Sequence, residues 1–166
     1  MECLIRPEQA DDYPAIYNVT KRAFATMPFA DGDEQDLIGR FRSAGVLALS
    51  LVAELDGKVV GQITLTPALA ADGSPGWFAL GPIAVAPENQ NYGIGSKLIE
   101  AGIAWMRGQN AAGCVLVGNP AYYSRFGFGA YPALAPPGEP TEYYQILPLR
   151  VQEPSIVVGF HPLFHV

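Results

Sequence analysis

One stretch constrains this chain more than any other: Ile83-Ala84-Val85-Ala86-Pro87-Glu88-Asn89-Gln90-Asn91-Tyr92-Gly93-Ile94-Gly95-Ser96-Lys97-Leu98-Ile99. An apolar, strand-like run ends at a proline, and a polar loop with two glycines follows. Ile94, Leu98, Ala101, Gly102 and Trp105 then recur at helical spacing. A helix start presents backbone N–H groups without intrahelical partners and a partial positive charge, which makes it a ready anion site. Glycine lets the backbone approach such an anion closely. The same glycines also suit a turn that needs positive φ angles, so the stretch admits two readings, a phosphate cradle and a plain connector.

Two commoner phosphate loops fail on detail. A Walker loop needs Gly-Lys followed by Ser or Thr, whereas the order here is Gly95-Ser96-Lys97. A dinucleotide fingerprint needs a third glycine where Leu98 stands. The upstream sequence argues the same way. Residues 46–54 and Lys58–Pro67 read as strands joined by an Asp56-Gly57 hairpin, and Trp77–Val85 follows the turn at residues 72–76. Residues 46–85 therefore predict an antiparallel meander rather than the opening of a βαβ unit.

The remaining chain fits around this core. Residues 3–6 predict a first strand. Asp11 and Asp12 offer an N-cap and Pro14 suits the first turn of a helix that reaches about residue 25, with Ile16, Val19, Ala23 and Phe24 on one face. A second helix follows the acidic residues 31–36, with Leu37, Phe41 and Ala44 as its apolar face and Gly45 as its stop. Residues 113–118 read as a fully buried strand, parallel to Trp77–Val85 because a helix separates the two. Pro120 opens a short helix stopped by Gly127, and residues 143–149 and 155–160 predict the last strands.

Composition bounds the function. The 166 residues, 49% hydrophobic, predict one domain over 1–166 with a sizeable core. A net charge of −6 argues against a dedicated nucleic-acid binder. No apolar run approaches the roughly 20 residues of a membrane span, and no secretory leader pattern opens the chain. The expectation is a cytoplasmic protein with no membrane partner. Cys3 and Cys114 lie in apolar runs and read as small buried hydrophobes. His161 and His165 lack zinc-ligand spacing, so no metal is expected.

Two motifs in order carry a family resemblance. Val85-x-Pro87-x-x-Gln90-x-x-Gly93-x-Gly95 before Leu98 resembles the acetyl-CoA signature of the GNAT N-acetyltransferases: Arg or Gln, two residues, Gly, one residue, then Gly or Ala. Asn119-Pro120-Ala121-Tyr122-Tyr123-Ser124-Arg125-Phe126-Gly127-Phe128 resembles that family's Tyr-x-x-x-Gly-Phe element. This run and the closing Phe160-His161-Pro162-x-Phe164 look most like the YhbS-like branch. The resemblance implies an α/β fold, with a mixed, mostly antiparallel sheet of six or seven strands and helices on both faces. It implies transfer of acetyl from acetyl-CoA, a co-substrate, to a primary amine of an unidentified small molecule or peptide by direct attack in a ternary complex. Dimers are common in the family, and a homodimer is compatible with this chain although no sequence feature establishes one.

The resemblance also assigns residues. The pyrophosphate would lie on the backbone amides of Gln90, Asn91, Tyr92, Gly93, Ile94, Gly95 and Ser96. The pantetheine arm would lie along Ile83, Ala84 and Val85 like an added strand, past a bend at Gly81-Pro82. A strand amide there would polarise the thioester carbonyl. Tyr123 stands where the family's tyrosine serves as general acid. Asn119 and Ser124 would bond the cofactor, although Asn119 equally suits a cap before Pro120. Residues 80–86 hold no acid where the family often places its base. Glu34, in the helix-1 to helix-2 region that borders the acceptor site in this family, is the candidate base, its other reading being a solvated acid favoured by the helix dipole, and a water chain serves as well. Trp77 and Phe78 fit either an acceptor pocket or the core, and His161 either chemistry or the anchoring of the last strand. Two rival functions stand: a transferase of another short acyl group, and a non-catalytic CoA-binding or sensor domain.

Overall fold

The computed structural model describes residues 2–28 and 30–165. The main elements are β1 (Cys3–Pro7), α1 (Tyr13–Phe24), α2 (Glu34–Ala44), β2 (Leu49–Leu55), β3 (Lys58–Pro67), β4 (Leu69–Ala70), β5 (Trp77–Val85), α3 (Ile94–Gly108), β6 (Gly113–Val117), α4 (Pro120–Tyr123), β7 (Gly129–Ala130), β8 (Tyr144–Pro148) and β9 (Val158–Gly159). Seven strands form one sheet in the order β1-β2-β3-β5-β6-β8-β7, and β4 pairs with β9 in a second, two-stranded sheet. By contacts the chain divides into two compact units, Met1–Leu65 with Gly81–Gly102 and Thr66–Leu80 with Ile103–Val166.

In the first unit the Asp56-Gly57 turn sets the register. Both residues hold positive φ, 53° and 76°, which matches the twist of the strands they join. β2 runs antiparallel to β3 from Leu49↔Leu65 to Leu55↔Lys58, with a bulge at Ala53/Glu54. β1 pairs antiparallel with the other edge of β2. Cross-strand partners share a face and neighbours alternate. On the Val52–Gln62 face, Val52 packs with Ile16 of α1 and Ile38 of α2. On the opposite face, a Cβ on Gly61 would lie 3.1 Å from Leu98 and 3.2 Å from the Ala84 carbonyl oxygen, so α3 reaches the sheet only because that residue is glycine. Helices thus cover both faces. Ala86 N donates to Val60 O here, and Ala68 N donates to Trp77 O in the second unit, as antiparallel β3 and β5 require.

Two helix details depart from the sequence reading. Asp12 is buried and does not cap α1. Its carboxylate accepts from Gln9 N (2.8 Å) and takes both Nη atoms of Arg6 at 2.7 and 3.0 Å, closing a short 3-10 turn ahead of the helix. On α2 the buried positions are Gln35, Leu37, Ile38 and Phe41, while Ala44 is exposed. Gly45 ends that helix as expected, in left-handed geometry at φ 72°.

In the second unit β6 runs parallel to β5 over Trp77↔Gly113 to Ala79↔Val115. β8 pairs antiparallel with β6, and the short β7 adds antiparallel to the far edge of β8. Trp77, Ala79, Val115, Tyr144, Ile146 and Val158 form the core. Phe78 meets Trp105 edge-to-face at 5.4 Å. Trp77 therefore packs the interior, whereas Phe78 is half-buried against Trp105. The strand expected over residues 155–160 shrinks to β9, which pairs with β4 outside the main sheet. Tyr144 Oη donates to Val158 O at 2.7 Å and ties this arm down from inside. Cys114 is buried and its thiol is pushed up by desolvation, whereas Cys3 is half-buried. Among the described residues no helix is long and apolar enough to cross a membrane.

Candidate active site

The end of β5 leads, in the first unit, to the glycine-loop candidates. The register of β5 with β6 stops at Ala79↔Val115. Two residues on, Gly81 takes φ +139°, outside regular strand geometry, and the Gly81–Pro82 bond is cis. The Pro82 carbonyl accepts from Gln62 Nε2 (3.2 Å), and Gln62 Oε1 accepts from Thr64 Oγ1 (3.0 Å). Gln62 and Thr64 are wholly buried. In the sequence they are marked only as part of the strand Lys58–Pro67. The available signal was a row of polar residues, Gln62, Thr64 and Thr66, on one face of a strand with apolar partners.

Beyond β5, Pro87–Asn89 makes one 3-10 turn, closed by Asn89 N to Ala86 O (2.8 Å). Glu88 in this turn pairs with Arg22 of α1. The Gln90 side chain folds back and donates to Val85 O at 3.0 Å, capping the strand it has just left. Asn91 at φ 70° and Gly93 at φ 82° then reverse the backbone into α3. Asparagine tolerates that left-handed geometry through its short polar side chain. Lys97 N donates to Gly93 O at 3.1 Å, an i to i−4 bond. The amides of Ile94 and Gly95 precede it and belong to the turn that helix geometry leaves to outside acceptors. Ile94 is buried against Gly61, which pins the loop, whereas Tyr92 is 78% exposed.

The second unit holds the tyrosine element. β6 passes into Gly118, whose amide donates to Tyr143 O (3.0 Å) and whose carbonyl accepts from Gln145 Nε2 (2.9 Å). Asn119 Oδ1 accepts from Ala121 N at 3.0 Å and caps α4. Ser124 Oγ donates to Ala121 O at 3.3 Å. Gly127 ends the segment at φ 99°. Tyr123 lies half-buried, edge-to-face with Tyr122 (5.1 Å) and Phe128 (5.8 Å). A Cβ on Gly118 would sit 2.6 Å from the Tyr123 ring. Desolvation, then the nearby Tyr122 and Cys114, push the phenol up to about 12, so it is neutral and a donor at physiological pH.

The remaining candidates hold structural bonds. Both carboxylate oxygens of Glu34 accept backbone amides, from Asp31 N (2.8 Å) and Gly32 N (3.1 Å). His161 Nδ1 accepts from Leu163 N at 3.1 Å and closes the final turn.

Known proteins place this geometry. A family profile described as Acetyltransferase (GNAT) family matches residues 12–128. The uncharacterized N-acetyltransferase YhbS of Escherichia coli K12 is 32% identical over 126 residues, covering 75% of this chain and 72% of that protein. Its structural counterpart, an E. coli YhbS crystal structure in complex with CoA, superposes with a TM-score of 0.89 at 27% identity, over 100% of this chain and 93% of that one. The uncharacterized N-acetyltransferase YjhQ of the same organism is 35% identical, covering 74% of this chain and 68% of that protein. A GNAT family acetyltransferase from Brucella melitensis in complex with acetyl-CoA superposes with a TM-score of 0.87 at 39% identity, over 98% of each chain. With its seven-stranded mixed sheet and its strand, glycine loop and helix in that order, the chain belongs to the GNAT family of N-acetyltransferases.

Proposed function

We propose that the protein transfers the acetyl group of acetyl-CoA to a primary amine on a small molecule or peptide. The observation that carries this reading is the connection from β5 to α3. Positive φ at Asn91 and Gly93 presents the opening amides of α3 to an outside acceptor, and a diphosphate is the acceptor that a helix start suits. In this reading the amides of Asn91, Tyr92, Gly93, Ile94, Gly95 and Ser96 hold the pyrophosphate, whereas the Gln90 amide, expected among them, already donates to Pro87 O (3.4 Å). Ile83, Ala84 and Val85 pair with the pantetheine arm, and Asn119 and Ser124 add polar contacts to the cofactor.

The reaction is a direct transfer. The acceptor amine, with a lysine-like pKa near about 10.4, first gives up its ammonium proton. Its lone pair attacks the thioester carbonyl carbon, the C–N bond forms, the adduct nitrogen releases its second proton to water, and the C–S bond breaks with its electron pair passing to sulfur. Tyr123 donates to the departing thiolate. Both Glu34 oxygens already accept backbone amides, so we assign the ammonium proton to a water chain rather than to that carboxylate. No acyl-enzyme is needed, and Cys114 is buried with its thiol held protonated. A cytoplasmic location and a homodimer belong to the same proposal, and light scattering on the purified chain reads the second.

Gly95→Asp, which adds bulk and charge beside the phosphates, should abolish CoA binding in calorimetry, and retained affinity would contradict the cradle. Tyr123→Phe should lower turnover by roughly 100-fold with little change in CoA affinity. Unchanged turnover would remove Tyr123 from the mechanism and favour a non-catalytic CoA-binding domain. CoA release over a panel of amines and peptides identifies the acceptor, and a preference for a longer acyl-CoA would replace acetyl as the donated group.

A further inference from the structure

We infer that Gln62, steadied by Thr64, is a positioning residue that aims the Ile83 amide at the thioester oxygen. The inference rests on the proposed reaction and adds to it a residue on a neighbouring strand. Pro82 O accepts from Gln62 Nε2 at 3.2 Å, and the hydroxyl of Thr64 donates to Gln62 Oε1 at 3.0 Å. A carbonyl can only accept and a Thr hydroxyl can reach Oε1 as donor, so the carboxamide has one consistent orientation. Both side chains have no solvent exposure. A fully buried carboxamide is costly unless bonded, and these bonds satisfy it.

The peptide joining Pro82 to Ile83 is planar and trans, so its N–H points opposite to its C=O. Holding the Pro82 carbonyl toward Gln62 therefore fixes the direction of the Ile83 N–H, away from Gln62. This matters at this point of β5 because Gly81 stands at φ +139° and Pro82 has no N–H of its own. Gln62 adds from a side chain a bond that helps orient the plane. When the amine attacks, charge develops on the thioester oxygen, and a preoriented amide stabilises that charge without reorganising.

The test uses Gln62→Met, which keeps length and volume but cannot donate, and Thr64→Val, which keeps the shape and removes the hydroxyl. The readouts are turnover, CoA affinity and the infrared carbonyl stretch of 13C-acetyl-CoA bound without acceptor. Loss of an outer-shell hydrogen bond of this kind should lower kcat about 10- to 100-fold for Gln62→Met and by less for Thr64→Val. CoA affinity, which involves no thioester carbonyl, should stay within about twofold. The bound carbonyl should shift to lower frequency in the wild type and move back toward its free value in both variants. A wild-type shift that persists in both variants would overturn the inference while leaving the transferase reading intact. Equal losses of CoA affinity and kcat would also overturn it, by giving Gln62 a purely structural role. A wild type that binds no CoA would sink the transferase reading itself, and the inference with it.

Discussion

The phenol of Tyr123 rests on a residue with no side chain. A Cβ on Gly118 would stand 2.6 Å from Cε2 and 3.1 Å from Cδ2 of the ring, and Gly118 itself is fixed by Tyr143 O and Gln145 Nε2. Gly118→Ala should therefore push the ring off its seat and lower kcat by roughly tenfold. In a Tyr123→Phe background the same substitution should cost much less, because the hydroxyl it displaces is gone. A double-mutant cycle in kcat reads this coupling, and additive effects would show that Gly118 acts elsewhere. Burial sets the acidity of the same group. Its folded pKa is raised to about 12, above the ordinary value, so the protonated form persists as pH rises through 10. Ultraviolet titration should find the same tyrosines ionising in wild type and Tyr123→Phe up to about pH 11, and Tyr123 should impose no alkaline limb on kcat below that. A difference spectrum with a midpoint near 10 would place the phenol in water.

At the scale of elements, the polar clamp at the start of the fold carries more than the sequence suggested. Asp12 joins Arg6 of β1, and Arg6 also reaches Glu54 of β2 at 3.0 Å. Hydrogen bonding to Arg6 holds the Asp12 carboxyl below its usual range. A lowered folded pKa adds stability above the ordinary carboxylate pKa, and that stability is lost as pH falls through the folded value. Asp12→Asn should thus destabilise by on the order of 2 kcal/mol at pH 7, with the gap in Tm to wild type closing as pH falls below about 4. A gap constant with pH would mean that the charge is not what Arg6 holds. Asp12 also marks the limit of reading caps from sequence. Its type and place fit an N-cap, but a half-buried guanidinium partner six residues earlier outcompetes the helix amides. Long periodic elements were legible: Lys58–Pro67 and Trp77–Val85 have the expected bounds, since alternation and turn residues act locally. Strands β4 and β7 were not, and β9 was legible only as part of a longer strand, because two-residue pairings depend on distant partners rather than on their own pattern. Of the proposed site, the glycine loop is marked by its spacing and Tyr123 by the family resemblance. Gln62, Gln145 and Gly118 have roles that exist only once strands are paired.

For the molecule as a whole, the charge balance makes a demand on how a polyanion is held. The chain carries 10 basic and 16 acidic residues, a net charge of −6. CoA is itself strongly anionic, so the long-range field of the protein opposes its approach. If backbone amides and a helix start supply the recognition, the favourable terms act at contact and the unfavourable one at long range. Salt screens the long-range part first, over about 10 Å at 0.1 M. CoA association should then be unchanged or faster as salt rises from about 0.05 to 0.3 M, and affinity should not fall steeply. A steep loss of affinity with salt would instead assign the phosphates to cationic side chains. Binding at about 100 times Kd should stabilise the native state by roughly 2.7 kcal/mol, raising Tm by about 5–10 °C for a chain of this size. That shift should vanish in Gly95→Asp and remain in Tyr123→Phe and Gln62→Met, which separates holding the cofactor from using it. A shift lost equally in all three would mean that the loop, the phenol and the buried carboxamide all act on binding, and the division of labour proposed for them would fail.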